Sequence, residues 1–264
     1  MSLYRIAKQI VEKLHSSGFI AYFAGGWVRD FLLNHPSDDI DIATSATTSQ
    51  IQQLFPKTIE VGIAFGIVVV VEEGHQFEVA TFRQDLGYHD GRRPYAIAKA
   101  SAREDAQRRD FTINGMFYDP IEEKVFDYVG GKEDLAHQII RAIGRPQDRF
   151  REDRLRMMRA IRYATRFGFT LESCTKEAIK QEANALFPSV AIERIWQEFE
   201  KMARFSHLGK SLILLHEFGL LQTIFPQLPS YSKEEITEKA AILTHFPKLS
   251  PTIAQLLELF SKES

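Results

Sequence analysis

Apolar residues recur at Ile6, Ile10 and Leu14 among Lys8, Glu12 and Lys13, the spacing of one face of a helix. A secretory leader needs an unbroken apolar stretch, so the opening segment is expected to be an amphipathic helix and not a signal peptide. The pattern then shortens. Residues 19–24 are mostly apolar and end at Gly25-Gly26, which predicts a short strand turning into a helix over about 27–33. Residues 38–43 read as a strand. Residues 67–71 and 77–82, joined at Glu73-Gly74-His75, predict a β-hairpin. Residues 84–94 hold Gly87, Gly91 and Pro94 among charged side chains and read as a flexible loop. Residues 111–118 and 124–128 are read as further short strands, turned at Asp119-Pro120.

From about Leu135 the strand signal stops. Leu155, Met158, Ile161 and Ala164 form an apolar stripe with arginines expected on the opposite face. Further helices are predicted over 175–186, 191–203, 208–218 and 233–243, punctuated by Gly219, Pro226, Pro229 and Pro247. The layout is an α/β head, a small mixed sheet with helices, over residues 1–135, then an all-helical region over 136–264.

Composition narrows the function. Hydrophobic residues at 44% and charged residues at 26% exclude a wholly disordered chain. No apolar run approaches the about 20 residues of a membrane helix. Cys174 is the single cysteine, which excludes a disulfide framework or a cysteine zinc cluster and makes the reducing cytoplasm the default compartment. A net charge of −2 argues mildly against nucleic acid as a partner. The average conceals an asymmetry. Arg141, Arg145, Arg149, Arg151, Arg154, Arg156, Arg159, Arg162 and Arg166 face only Asp148, Glu152 and Asp153 in the same stretch, which contains no lysine. Two readings compete: a salt-bridged helix face, and a surface for planar, bidentate contact with phosphates or base edges.

Four constellations carry candidate chemistry. In Asp39-Ile40-Asp41, a strand would turn both carboxylates to one side, where they could share divalent metal ions. Glu78 is a charge inside an otherwise apolar strand. If that strand lies beside the one bearing the Asp pair, the three carboxylates form an oxygen-rich site suited to Mg²⁺. Gly25-Gly26 at a strand-to-helix turn lets backbone N–H groups approach an anion, with Arg29 one turn on to reach the same phosphates. Arg108-Arg109-Asp110 opens the segment that ends at Asn114. Glu152-Asp153-Arg154-Leu155-Arg156 is read on one helix, where Asp153 and Arg156 are either an ion pair or a base reader. In the second case the carboxylate accepts from the exocyclic amine of C or A, and the guanidinium donates to the adjacent ring nitrogen.

With these motifs in order, the chain resembles the class II nucleotidyltransferases: the CCA-adding tRNA nucleotidyltransferases and the bacterial poly(A) polymerases. The resemblance runs from Gly25-Gly26-x-Val28-Arg29-Asp30 through Asp39-x-Asp41, Glu78-Val-Ala-Thr-Phe-Arg83 and Arg108-Arg-Asp-Phe-Thr-Ile-Asn114. It continues through Glu152-Asp-x-Leu-Arg-x-x-Arg-Ala-x-Arg162 and Val190-Ala-Ile-Glu-Arg-Ile195, and more weakly to Phe225. It implies a nucleotidyltransferase head followed by a helical neck and body. It implies catalytic carboxylates at Asp39, Asp41 and Glu78, with a two-metal Mg²⁺ site on Asp39 and Asp41. Nucleotide would be bound by Gly25, Gly26, Arg29, Arg109, Asp110 and Asn114, and also by Asp153, Arg156, Arg159 and Arg162, the first two reading the base. The implied reaction is template-independent addition of C and A to a tRNA 3′ end from CTP and ATP, with pyrophosphate released. The partner is RNA, not DNA or a membrane. Adding A alone to RNA 3′ ends is the alternative, and a non-catalytic RNA-binding module the remote one. Val61-Gly-Ile-Ala-Phe-Gly66 resembles the CCA-adding members, and the 83–94 segment is the loop that CC-adding members lack. Members with a full body and tail run well past this length, so the segment gripping the tRNA is expected to be short or absent. His89 is expected to be an exposed loop histidine, and no side chain is assigned as general base.

Overall fold

The computed structural model describes residues 2–35, 37–61, 63–88, 94–204, 207–246, 251–257 and 259. The chain divides into two compact units, one running to His137 and one from Gln138 onward.

The first unit contains helix α1 (Leu3–Ser16), strand β1 (Ala21–Ala24), α2 (Gly26–Leu32), β2 (Asp41–Thr44), α3 (Thr48–Leu54), β3 (Thr58–Ile59), β4 (Ile67–Glu72) and β5 (His75–Thr81). It continues with β6 (Arg83–Tyr88), β7 (Pro94–Lys99), α4 (Ala102–Gln107), β8 (Met116–Asp119), β9 (Lys124–Asp127) and α5 (Gly131–Ala136). Seven strands form one mixed sheet in the order β3-β4-β5-β2-β1-β8-β9. Within it only β2 and β5 run parallel, with Ile42 opposite Val79 and Thr44 opposite Thr81. The β4–β5 hairpin turns where expected, because Glu73 (φ 49°) and Gly74 (φ 79°) both adopt the left-handed backbone that a two-residue turn requires. Apolar side chains fill the core. Ile6, Ile10 and Leu14 of α1 and Phe23, Ile42, Val79 and Phe117 of the strands are each at most 1% exposed. Each such side chain contributes about 1.5–3 kcal/mol by leaving water.

Three expectations change here. Residues 84–88 and 94, expected in a loop, belong instead to the paired strands β6 and β7, a separate two-stranded sheet with Asp85 opposite Ile97. Gly87 misled the reading: it bends the strand at φ 62° without ending it. His89 and Gly91 lie outside the described residues. Residues 111–118 are not one strand: a 3₁₀ turn at Thr112–Asn114 precedes β8. The strand expected from residue 38 begins only at Asp41.

The second unit contains β10 (Ile139–Ile140), α6 (Pro146–Glu152), α7 (Leu155–Phe167), β11 (Thr170–Leu171), α8 (Ser173–Glu182) and α9 (Ile192–Arg204). It ends with α10 (Leu208–Glu217), α11 (Leu220–Ile224), α12 (Lys233–Ile242) and α13 (Thr252–Leu257). The all-helical expectation misses β10 and β11, which pair in parallel but are too short to leave an alternating pattern. Leu155, Met158, Ile161 and Ala164 form the buried stripe of α7. No helix among the described residues is long and apolar enough to cross a membrane.

Candidate active site

The carboxylates come together as the conditional reading required. Strand β5 lies directly beside β2, and the Ile42–Val79 register sets Asp41, the first residue of β2, next to Glu78 in the middle of β5. Asp39 sits two residues upstream, in irregular backbone anchored by Ile40, which is 4% exposed. It therefore reaches the cluster from a loop and not from the same strand face. Crowding is visible in the electrostatics. Burial, and then the charges of Asp39 and Glu78, push Asp41 up to about 7 against the opposing pull of Arg109. A carboxyl raised this far by burial and by neighbouring acids is a place where added positive charge is favoured. Among the described residues, no group of three His, Cys, Asp or Glu side chains is placed to hold a metal ion by itself. The cluster is an open, all-oxygen face, the donor type that suits hard divalent cations sharing their coordination with another molecule.

Gly25 forms the neighbouring wall. It precedes α2 at φ 67°, ψ −133°, a conformation that disfavours any side chain. A Cβ there would stand 3.1 Å from Nη1 of Arg109 and 3.7 Å from Oδ2 of Asp41. The glycine therefore sits between the site's guanidinium and its central carboxylate. A Cβ on Gly26 would meet the Arg29 guanidinium at 3.4 Å.

Arg29 behaves differently from expectation. It is 3% exposed, and its guanidinium donates to Asp30 at 2.9 Å and to the Asn114 Oδ1 at 2.5 Å. Asn114 donates in turn to Asp110 at 3.1 Å, which also accepts from the Phe111 N–H at 2.8 Å. Arg29, Asp110 and Asn114 thus form one buried brace beneath the Gly25-Gly26 turn, where a direct phosphate contact by Arg29 was expected. Arg109 stays at the site. Its Nε and Nη2 donate to Asp105 at 3.2 and 3.0 Å, and its plane lies 5.0 Å over Phe117.

In the helical unit, Asp153 and Arg156 do not share one helix. Asp153 is the cap that ends α6, with φ −149° and ψ 102°, and α7 starts two residues later. The two side chains take other partners. Asp153 accepts from Arg194 at 2.8 Å and from the Leu155 N–H at 3.1 Å. Arg156 donates to Glu152 at 2.7 Å and to the Arg149 carbonyl at 3.1 Å. Arg159 donates to the Tyr163 hydroxyl at 3.2 Å. Arg162, expected opposite the apolar stripe, is 5% exposed and donates to Glu198 at 2.6 Å. Arg141 and Arg151 pair with Glu172 and Glu182. The arginine run is therefore ion-paired at several of its members by acids that lie later in the chain.

Sequence reasoning passed over Asp30, Asp105, Arg194 and Glu198. For Asp105 a signal existed: it stands three and four residues before Arg108 and Arg109, the spacing of helical ion pairs.

Residues 21–141 match the family described as poly A polymerase head domain. Residues 168–231 match the probable RNA and SrmB-binding site of polymerase A. A CCA-adding enzyme of Geobacillus sp. (strain WCH70) is 46% identical over 239 residues, covering 90% of this chain and 58% of that protein. The crystal structure of a Bacillus stearothermophilus CCA-adding enzyme in complex with CTP superposes with a TM-score of 0.81 at 37% identity, covering 94% of this chain and 59% of that one. A Thermotoga maritima CCA-adding enzyme complexed with tRNA gives 0.75 at 25% identity, covering 98% and 59%. The chain spans less than two thirds of the length of these relatives.

Proposed function

We propose that the chain belongs to the family of the poly A polymerase head domain, whose model matches residues 21–141, and that it is a template-independent nucleotidyltransferase that adds C and A to the 3′ end of tRNA from CTP and ATP. The observation that carries this reading is the cluster of Asp39, Asp41 and Glu78 around an Asp41 raised to about 7, faced by Arg109 across Gly25. Such a cluster is a costly arrangement in a resting protein. It is useful where phosphates and cations arrive together.

In this reading the RNA 3′-hydroxyl attacks the α-phosphate and pyrophosphate leaves. Asp39 and Asp41 would hold Mg²⁺, with Glu78 beside them; when bound, the metal supplies the positive charge that acidifies the attacking hydroxyl and neutralises the leaving oxygen. Arg109 offers its Nη1 edge to the triphosphate. Gly25 leaves room for that approach, and the Arg29–Asn114–Asp110 brace keeps the turn in shape. In the helical unit Asp153 offers an acceptor and Arg156 donors, the pattern that selects C and A over U and G. Arg159 and Arg162 support that segment. The head and the residues after it thus divide the work: chemistry in 1–135, base choice and RNA contact in 136–264. The setting is the cytoplasm. The test is to offer the protein tRNA lacking its CCA end, an unrelated RNA, and each nucleoside triphosphate separately. C then A on the tRNA alone is the expected result. A-only extension of both RNAs would replace CCA addition by polyadenylation, and no extension by any nucleotide would overturn the enzymatic reading.

A further inference from the structure

Asp105 is the hub of the head's polar network. It is 1% exposed, on α4. Its Oδ1 accepts from Arg108, Nε at 2.9 Å and Nη2 at 2.8 Å, and from the Arg83 N–H at 3.2 Å. Its Oδ2 serves Arg109, from Nε at 3.2 Å and Nη2 at 3.0 Å. Burial alone would raise this carboxyl; Arg109, Arg108 and the Arg83 N–H outweigh it and hold it below the usual carboxylate range. Helix α4 does not need Asp105 for its own start, since Ser101 and Glu104 close that end as a capping box.

The geometry of Arg109 shows what the carboxylate achieves. A guanidinium is a rigid planar fork with separate donor edges. Asp105 takes the Nε–Nη2 edge. The plane is seated on Phe117 at 5.0 Å. Nη1 donates to the Asn114 carbonyl at 3.5 Å and stands 3.1 Å from where a Gly25 Cβ would be. The fork has one orientation, with its remaining edge toward Gly25 and Asp41. A long arginine without that anchor loses its fixed aim and keeps several rotamers to populate.

We propose that Asp105 is a positioning residue that aims Arg109 at the phosphates of the incoming nucleotide, an inference that rests on reading the head as a nucleotidyltransferase. Asp105 touches no substrate. Its contacts with Arg108 and the Arg83 N–H hold the head together, whereas its effect on nucleotide affinity runs through Arg109 and must vanish when Arg109 is gone.

The test uses the full chain with Mg²⁺ present. ATP and CTP affinities are measured by calorimetry, and KM and kcat by incorporation into RNA, for wild type, Asp105→Asn, Arg109→Ala and the double variant. Asp105→Asn is expected to raise the nucleotide Kd and KM by about tenfold to a hundredfold, with a smaller change in kcat. Arg109→Ala should do the same, and the double variant should be no worse than Arg109→Ala alone. If Asp105→Asn melts below the assay temperature, Asp105→Glu carries the same cycle, because it keeps the buried charges compensated while displacing the anchor by one methylene. Affinity within twofold of wild type, or losses that add in the double variant, would overturn the positioning role and leave the reaction untouched. Wild-type protein that binds ATP yet incorporates nothing would overturn the reaction, while the affinity cycle still decides the role of Asp105.

Discussion

The two units handle charge in opposite ways. In the head, three carboxylates crowd one face, and the cost appears in Asp41, raised to about 7 with Arg109 as its opposing charge. In the helical unit, acids drawn from α8 and α9 meet the arginines. Arg162 lies against Glu198 at 2.6 Å and Arg151 against Glu182 at 2.8 Å. Glu198 is 1% exposed, and burial would raise it, yet Arg162 and Arg159 hold it below the ordinary range. A balanced charge needs no ligand to explain it. An unbalanced one marks where a ligand of opposite sign belongs.

The sharpest way to break this contrast is to remove the crowded carboxylates. Asp39→Ala or Asp41→Ala should lower incorporation by a thousandfold or more, on the order of 4 kcal/mol of lost metal-held stabilisation, while RNA binding in a filter assay persists. Incorporation within about tenfold of wild type by either variant would end the metal-site reading. Next comes the balanced side. Glu198→Ala strands a buried Arg162 and should destabilise the protein by about 3–5 kcal/mol in urea unfolding. Because the folded pKa of Glu198 is depressed, its contribution is fully present above the unfolded value of about 4.3 and fades as pH falls through the folded one. Glu198→Gln should therefore flatten the acid limb of the stability curve; an unchanged limb would show that the pair is not coupled to folding.

Asp153 and Arg156 test the border between the two kinds of charge, since each has a protein partner and each is proposed to read a base. Alanine at either should narrow the preference for CTP and ATP over UTP and GTP by about tenfold to a hundredfold. A lower melting temperature with an unchanged four-nucleotide ratio would return both residues to the balanced class. The smallest change in stability is expected from Asp41→Asn, which removes one of the crowded charges. It should raise the stability of the metal-free protein by on the order of 1 kcal/mol while abolishing turnover. Loss of stability in calorimetry would show that the crowding is already relieved in the folded chain.

Much of this was legible beforehand. The β4–β5 hairpin announced itself through two apolar runs joined at Glu73-Gly74-His75, and the site's acids through the Asp39-x-Asp41 pair and Glu78, a charge inside an otherwise apolar strand. Their meeting could only be conditional, because adjacency of β2 and β5 is a tertiary fact that no local pattern encodes. The arginine run left two readings open for the same reason. A charge count over neighbouring residues cannot see Glu172, Glu182 and Glu198, which arrive from later helices. Arg29 was placed on the phosphates because glycines beside an arginine resemble a cradle; the buried Asn114 that captures it lies in another element. Gly87 was read as a breaker because glycine weakens strands on average, whereas here it sits within one, with the ring of Tyr95 where its side chain would be.

The parallel junction between β2 and β5 has a consequence for how the protein comes into being. Antiparallel neighbours such as β4 and β5 can zip from their turn. The parallel pair must wait for the α3, β3 and β4 segment to close, a long loop whose entropy cost is met before any pairing energy returns. Asp41 and Glu78 stay apart until that closure. During synthesis or refolding, chains short of this step carry scattered, ordinary carboxylates and no assembled centre. On the proposed reading, partly folded molecules are catalytically silent, and onset of activity would report completion of the sheet.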